Sequence, residues 1–291
     1  GGTLGILIPP SVILIIYSIL TEQNIAKMFL CAFIPGLLAA LGYIVAISLY
    51  VRLNQNSGPI KDRVHWKDRM YFFKNIWHII LIFVVMIGGI YMGFFTPTEG
   101  AAIGAAGTGI IAITNKSFNI KSFIEVIEST AVTTGMIFFV LLGAEFFNSF
   151  IALTQLPNLL TEFSKENNLE PLIVVACIMI LYLFLGCLMD SLAMILLTIP
   201  VFFPLVMSLD FGLSPEETAI WFGILTLVVV EVGLITPPVG LNVFIINKMA
   251  KDVPIIDTFK GVIPFLLSDI IRIILLFSFP SITLIMLWAF Y

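Results

Sequence analysis

The sequence has 291 residues, 60% hydrophobic and only 11% charged, with a net charge of −4 and a mean hydropathy of +1.12. A soluble globular domain is about a quarter charged, so this composition excludes one and leaves a polytopic membrane protein in a lipid bilayer. No basic run points to nucleic acid, and Cys31, Cys177, Cys187, His65 and His78 follow no ligand spacing, so no transition-metal site is expected.

The chain opens on Gly1-Gly2-Thr3, with no initiator Met, charged n-region or signal peptide. It is read as the later part of a longer protein, lacking its N-terminal part. The first apolar segment, 4–20, contains Gly5-Ile6-Leu7-Ile8-Pro9-Pro10-Ser11. The second proline has no N–H, its ring clashes with the preceding turn, and the residue before each proline is pushed out of the helical region. The spacing predicts a helix broken at this point. Further apolar segments are expected at 29–52, 76–95, 98–114 and 123–151. Thr96-Pro97-Thr98-Glu99 reads as a capping box with Pro at N1. Gly100, Gly104 and Gly107 suit close helix packing. Glu145 stands isolated in its segment, suited to a partner subunit or a kink.

The segments 171–189 and 191–208 are separated by little more than Met189-Asp190-Ser191, which predicts a re-entrant hairpin rather than two spans with a wet turn. Segment 218–247 carries a second break, Gly233-Leu234-Ile235-Thr236-Pro237-Pro238-Val239. The last segment, 262–290, holds Asp269 and Arg272, three apart and expected to pair locally.

Lys and Arg set the orientation. Arg52, Lys61, Arg63, Lys67, Arg69 and Lys74 mark a cytoplasmic loop, as do Lys116 with Lys121, and Lys248, Lys251 and Lys260. The stretches 162–170 and 210–217 are poorer in basic residues and read as external. Counting crossings then places Thr21–Lys27 outside and Lys248–Lys260 inside. Each of these follows a Pro-Pro break, so the two copies run through the membrane in opposite senses. Gly5, Pro9 and Pro10 match Gly233, Pro237 and Pro238 at one offset, and Ile34-Pro35 matches Ile263-Pro264 one residue later. This is an inverted-topology repeat, and paired broken helices point to a transporter binding site.

Such breaks free backbone carbonyls, which are hard ligands for a small cation, and expose half-helix N-termini to an anion. Asp190 reads equally as a cation ligand and as a helix cap. Glu231 reads as a carboxylate bonded to freed N–H groups of the hairpin, ahead of a ligand, proton carrier or gate. Thr3 and Asn242 are polar groups flanking the two breaks. No Ser/His/Asp set, metal cluster or phosphate loop is present in the sequence, so no enzyme is expected.

The runs GGTLGILIPPS, FIPG, GGIYMGFFTPTEGAAIGA, LMDSLAMILLTIPVFFPL and EVGLITPPVGLNVF together resemble the large membrane subunit of tripartite ATP-independent periplasmic (TRAP) transporters. The resemblance implies an all-α, inverted-repeat, elevator-type secondary transporter of the bacterial inner membrane, driven by a sodium gradient. It implies Na+ as the bound ion, a small membrane subunit and a periplasmic substrate-binding protein as partners, and an organic acid as substrate: a C4-dicarboxylate, sialic acid or another sugar acid. Carried over by motif, the second sodium site comprises Asp190, Ser191 and Leu192 of the hairpin tip with Gly233, Thr236 and Val239, mostly through backbone oxygens. By the repeat, Gly5, Ile8 and Ser11 serve the first site. Thr3, Pro10, Pro238 and Asn242 are the candidate substrate contacts. The family's first hairpin precedes the GGTLGILIPPS run, so the partner of the first site lies before this chain begins.

The implied organisation is 1–28 as the end of the first transport repeat and 29–122 as scaffold helices with a cytoplasmic loop at 53–74. Arm or linker helices follow at 123–168, the second transport repeat at 169–260, and a C-terminal transmembrane helix at 261–291. Two rival readings are a stand-alone carboxylate/sodium symporter and a non-transporting membrane scaffold.

Overall fold

The computed structural model describes residues 2–54, 65–249 and 253–291. Lys61, Arg63 and Lys251, assigned above to cytoplasmic loops, lie outside the described residues, as do the side chains of Lys67 and Lys74. The described residues form helices and no strands: α1 (Leu4–Leu7), α2 (Val12–Leu20), α3 (Ile25–Leu53), α4 (Trp66–Tyr91), α5 (Pro97–Thr114), α6 (Ile120–Leu153), α7 (Leu156–Glu166), α8 (Pro171–Gly186), α9 (Ser191–Met207), α10 (Pro215–Gly233), α11 (Leu241–Met249), α12 (Ile255–Ser278) and α13 (Pro280–Phe290). Helices α3, α6 and α12 are each long and apolar enough to cross a bilayer. The all-α polytopic class implied by the resemblance is the observed one.

Two compact units are present, residues 1–54 with 140–291, and residues 55–139. The smaller unit is built on the α4–α5 pair. Helix α5 starts with the expected capping box: the Thr96 hydroxyl accepts from the Glu99 N–H, and the Glu99 carboxylate accepts from the Thr96 N–H at 2.8 Å. Gly100, Gly104 and Gly107 face α4, where an added Cβ would come within 3.0 Å of Ile90, Met86 and Ile82 respectively.

The larger unit is organised around α10, in which every residue from Thr218 to Gly233 is buried. A helix apolar on all sides needs neighbours on all sides, and α8, α9, α12, α13, α3 and the first-repeat helices α1 and α2 supply them. The Trp221 indole donates to the Leu276 carbonyl at 2.9 Å, so the largest buried ring leaves no orphan donor. Tyr17 of α2 lies across Gly223, where a Cβ would meet the ring at 2.3 Å, and its hydroxyl donates to the Ala219 carbonyl at 2.7 Å. At one end of this unit Lys27 Nζ meets Glu216 Oε1 at 2.7 Å. Two stretches read as external therefore meet at one end.

Three element boundaries differ from the sequence reading. The segment beginning at 76 starts as a helix at Trp66, so its polar first turns are helical rather than loop. Leu156–Glu166, which runs into the stretch 162–170 read as external, forms an amphipathic helix that packs on α9. The single helix expected over 262–290 is divided between Phe279 and Pro280. Pro35, Pro200, Pro204 and Pro264, by contrast, stay inside continuous helices. A lone proline removes one hydrogen bond, which a well-packed helix tolerates as a bend.

Candidate functional site

Both repeats are broken where the paired prolines stand. In the first, α1 is a single turn and Ile8 is already extended (φ −77°, ψ 121°). The Pro9-Pro10 bond is cis. Ser11 restarts the chain as the cap of α2, accepting from the Leu14 N–H at 3.4 Å, while its hydroxyl donates back to the Ile6 carbonyl. One side chain thus spans the gap. Among the described residues, no hydrogen bond ends on the carbonyls of Ile8, Pro9 or Pro10. Ile8 packs on Gly36 of α3, Gly5 is exposed and Thr3 is buried.

In the second repeat α10 ends at Gly233, and 234–240 run as consecutive turns before α11. The Pro237-Pro238 bond is also cis. The Asn242 N–H reaches back to the Leu234 carbonyl at 3.1 Å and closes the loop. Gly240 has φ +58°, and a Cβ there would stand 3.2 Å from the Thr236 carbonyl, so any other residue would be strained there. The Thr236 hydroxyl donates to Val232 at 2.6 Å, leaving its lone pairs free. The carbonyls of Ile235, Thr236, Pro238 and Val239 accept no hydrogen bond among the described residues.

The α8–α9 hairpin brings its tip to this second break. Gly186, the last residue of α8, crosses Gly233 so closely that a Cβ on Gly233 would lie 2.7 Å from the Gly186 Cα. The Cys187 thiol, which is 3.1 Å from the Leu183 carbonyl of its own helix, lies 3.5 Å from the Pro237 carbonyl. Asp190 is extended and accepts from the Leu192 N–H at 3.0 Å, which makes it the cap of α9. The Asp190 side chain is exposed and Ser191 is buried.

A cavity of about 390 Å³ is lined by residues just before α1, by Ile235 of the second break and by α3, α11 and α12. Its polar lining is Thr3, Tyr43 and Asn242, and its apolar wall includes Ile235, Ile245, Ile246, Val262 and Phe265. No charged side chain lines it among the described residues. Behind Tyr43 stands a buried charge cluster. The Tyr43 hydroxyl donates to Asp269 Oδ2 at 2.8 Å. Arg272 Nη2 lies 2.9 Å from Asp269 Oδ1 and 3.0 Å from Glu231 Oε2. Glu231, Asp269 and Arg272 are all at most 4% exposed. The local Asp269–Arg272 pair is present as expected. The reading of Glu231 is corrected: its partner is the Arg272 guanidinium, not freed N–H groups of the hairpin.

The family profile described as "Tripartite ATP-independent periplasmic transporter, DctM component" matches residues 1–282. The chain belongs to this family. It is similar to the C4-dicarboxylate TRAP transporter large permease protein DctM of Pseudomonas aeruginosa, 32% identical over 98% of this chain and 65% of the relative. The sialic acid TRAP transporter large permease protein SiaM of Vibrio cholerae is 29% identical over 97% of this chain and 64% of its own length. The sialic acid TRAP transporter permease protein SiaT of Haemophilus influenzae is 32% identical over 96% of this chain and 44% of its own length. The chain thus spans at most about two thirds of the length of these relatives. As a DctM-family chain it is a multi-pass protein of the inner membrane.

Within this DctM-family chain the structure groups the residues expected at the sites into three places. Gly5, Ile8, Pro10 and Ser11 sit on the first break, and Gly233, Thr236, Pro238 and Val239 on the second, beside the tip that carries Asp190, Ser191 and Leu192. Thr3 and Asn242 share the cavity, whereas Pro10 and Pro238 are not among its lining residues. Sequence reasoning missed Tyr43. The signal that could have found it is a tyrosine on the helix carrying the repeat's Ile-Pro pair.

Proposed function

We propose that this chain is the large permease part of a sodium-coupled secondary transporter that takes up an organic acid by an elevator movement. The observation that carries the reading is the cavity lined from both repeat segments, polar at Thr3, Tyr43 and Asn242 and, among the described residues, without a cationic side chain. A carboxylate entering it needs compensation from bound cations or from oriented backbone. The unbonded carbonyls of the two breaks are hard oxygen ligands suited to sodium. The N-terminus of α11, whose first turn holds Asn242, offers partial positive charge.

In this reading Na+ binds in the second repeat between the Asp190–Leu192 tip and Gly233, Thr236 and Val239. In the first repeat it binds at Gly5, Ile8 and Ser11. The organic acid is a C4-dicarboxylate, sialic acid or another sugar acid, the first two being those for which the similar permeases DctM and SiaM are named. The partners are a small membrane subunit and a periplasmic substrate-binding protein. The test is uptake of labelled acids into proteoliposomes holding the full-length permease and both partners. An imposed inward sodium gradient should drive accumulation, and its dissipation should stop it. Uptake indifferent to sodium overturns the coupling. Uptake without any binding protein favours the stand-alone symporter.

A further inference from the structure

Behind the cavity wall the buried charges do not balance. Glu231 and Asp269 share one guanidinium, that of Arg272, at 3.0 and 2.9 Å, and none of the three is more than 4% exposed. The helices packed on α12 are α3, α10, α11 and α13. Beyond Glu231, their charged residues lie toward helix ends: Lys27 pairs with Glu216, Glu217 accepts from Trp288, and Arg52 and Lys248 are exposed. On α12 itself Asp257 pairs with Lys260, and α13 has no charged residue. Of the other titratable groups on α3, Cys31 lies about three turns from Tyr43 and Tyr50 about two. With both carboxylates ionised, the cluster carries one net negative charge in a medium that neutralises such a charge by protonation. Geometry chooses between the two. Glu231 Oε1 is buried without a hydrogen-bond partner, so a proton there would find no acceptor. Asp269 Oδ2 is 2.8 Å from the Tyr43 phenol, which accepts as well as donates.

We infer that Asp269 is a proton-binding site that exchanges with the cavity through Tyr43. The phenol lines the cavity, is hydrogen-bonded to Thr3 of the same wall, and reaches Asp269 on its other side. A hydronium ion of the medium gives a proton to the phenol oxygen and leaves as water, while the phenol passes its own proton to Asp269 Oδ2. The Tyr43 O–H is re-formed and the neutral carboxyl now donates to the phenol. Release runs the same steps backwards. Glu231 stays ionised against Arg272 throughout. With the proton bound the cluster is neutral; without it one negative charge stands behind the cavity wall. Protonation therefore favours an anion in the cavity, and its loss favours a cation. The site does not rest on the sodium or organic-acid reading, because its test needs no transport.

The experiment is infrared difference spectroscopy of the full-length permease in lipid, between acidic and alkaline buffer and between H2O and D2O. A carboxylic acid has a C=O stretching band that a carboxylate lacks. The unaltered protein should show such a band that grows on acidification, reverses, and shifts in D2O. Asp269→Asn should abolish it. Glu231→Gln should abolish it too at neutral pH, because Asp269 then has Arg272 to itself and stays ionised. Bands of other carboxyl groups, Glu145 included, remain in both variants. Tyr43→Phe should keep the band and slow its shift in D2O by about tenfold or more. A band that survives Asp269→Asn, or one in the unaltered protein that responds to neither pH nor D2O, overturns the site. An unslowed shift in Tyr43→Phe overturns the route through Tyr43. The spectra of the unaltered protein decide against the site even if no variant folds.

Discussion

Gly186 and Gly233 touch backbone to backbone. A Cβ on Gly233 would lie 2.7 Å from the Gly186 Cα and 2.8 Å from its carbonyl carbon, and one on Gly186 would lie 3.1 Å from the Gly233 Cα. The hairpin arm and the end of α10 approach this closely only because neither residue has a side chain, and the contact sets the tip beside the unwound carbonyls of 235–239.

Gly233→Ala should therefore be the more damaging substitution, since its obstacles are rigid backbone atoms. Overpacking here should cost about 1–3 kcal/mol, with Gly186→Ala less severe. Thermal unfolding in detergent reads the order. Equal, unchanged melting of both variants would show that the crossing is looser than the geometry says.

Arg272 compensates two buried carboxylates on two helices. Arg272→Met should destabilise by roughly 3–5 kcal/mol, because Glu231 and Asp269 are left without a cation. Glu231→Gln combined with Arg272→Met should cost less than the sum of the two singles, since the residues share one network. A double-mutant cycle by chemical denaturation measures this. Strict additivity would mean that the pair contributes nothing as a pair.

Glu217 completes the Ser214 capping box at the N-terminal end of α10. The Trp288 indole N–H, followed by the Ser214 backbone N–H and hydroxyl, holds its carboxyl below the usual carboxylate range. A depressed folded value contributes stability that is present above the unfolded value of about 4.3. That stability is lost as pH falls through the folded value. Melting temperature should drop on acidification below about pH 4, and Glu217→Gln should flatten that part of the profile. Because the group is only partly buried and screened by solvent, the effect should be small. A Glu217→Gln profile parallel to the parent would place the acid sensitivity elsewhere.

Thr236→Ala removes a hydroxyl from the proposed sodium shell. The loss of one buried polar contact is about 1–3 kcal/mol, or roughly 5- to 150-fold in sodium affinity. The sodium activation curve of uptake should shift to higher concentration while insertion is normal. An unmoved curve removes Thr236 from the shell.

Asp190 separates two roles. Asp190→Asn keeps an N-cap acceptor for the Leu192 N–H, whereas Asp190→Ala costs about 0.5–2 kcal/mol of hairpin stability. If the carboxylate offsets bound sodium, Asn and Ala variants should both weaken sodium activation, and only Ala should lower the melting temperature. Sodium activation that survives in Asp190→Asn would leave Asp190 as a cap alone.

What the sequence determined by itself is local. Paired prolines break a helix because two consecutive residues lose a donor or the helical basin, and a capping box such as Thr96–Glu99 acts within three residues. Those features needed no neighbour to be read. The tertiary structure decided which faces meet. Glu231 finds its cation on α12, Tyr43 its carboxylate far along the chain, and Gly186 its partner at the end of α10. In a chain this apolar, nearly every helix face is hydrophobic, so periodicity does not say whether a face meets lipid or protein. The same ambiguity hid the helix of 156–166 and the break at Phe279-Pro280: an isolated proline bends at Pro200 and Pro264 but divides a helix at Pro280, and only the packing on either side settles which.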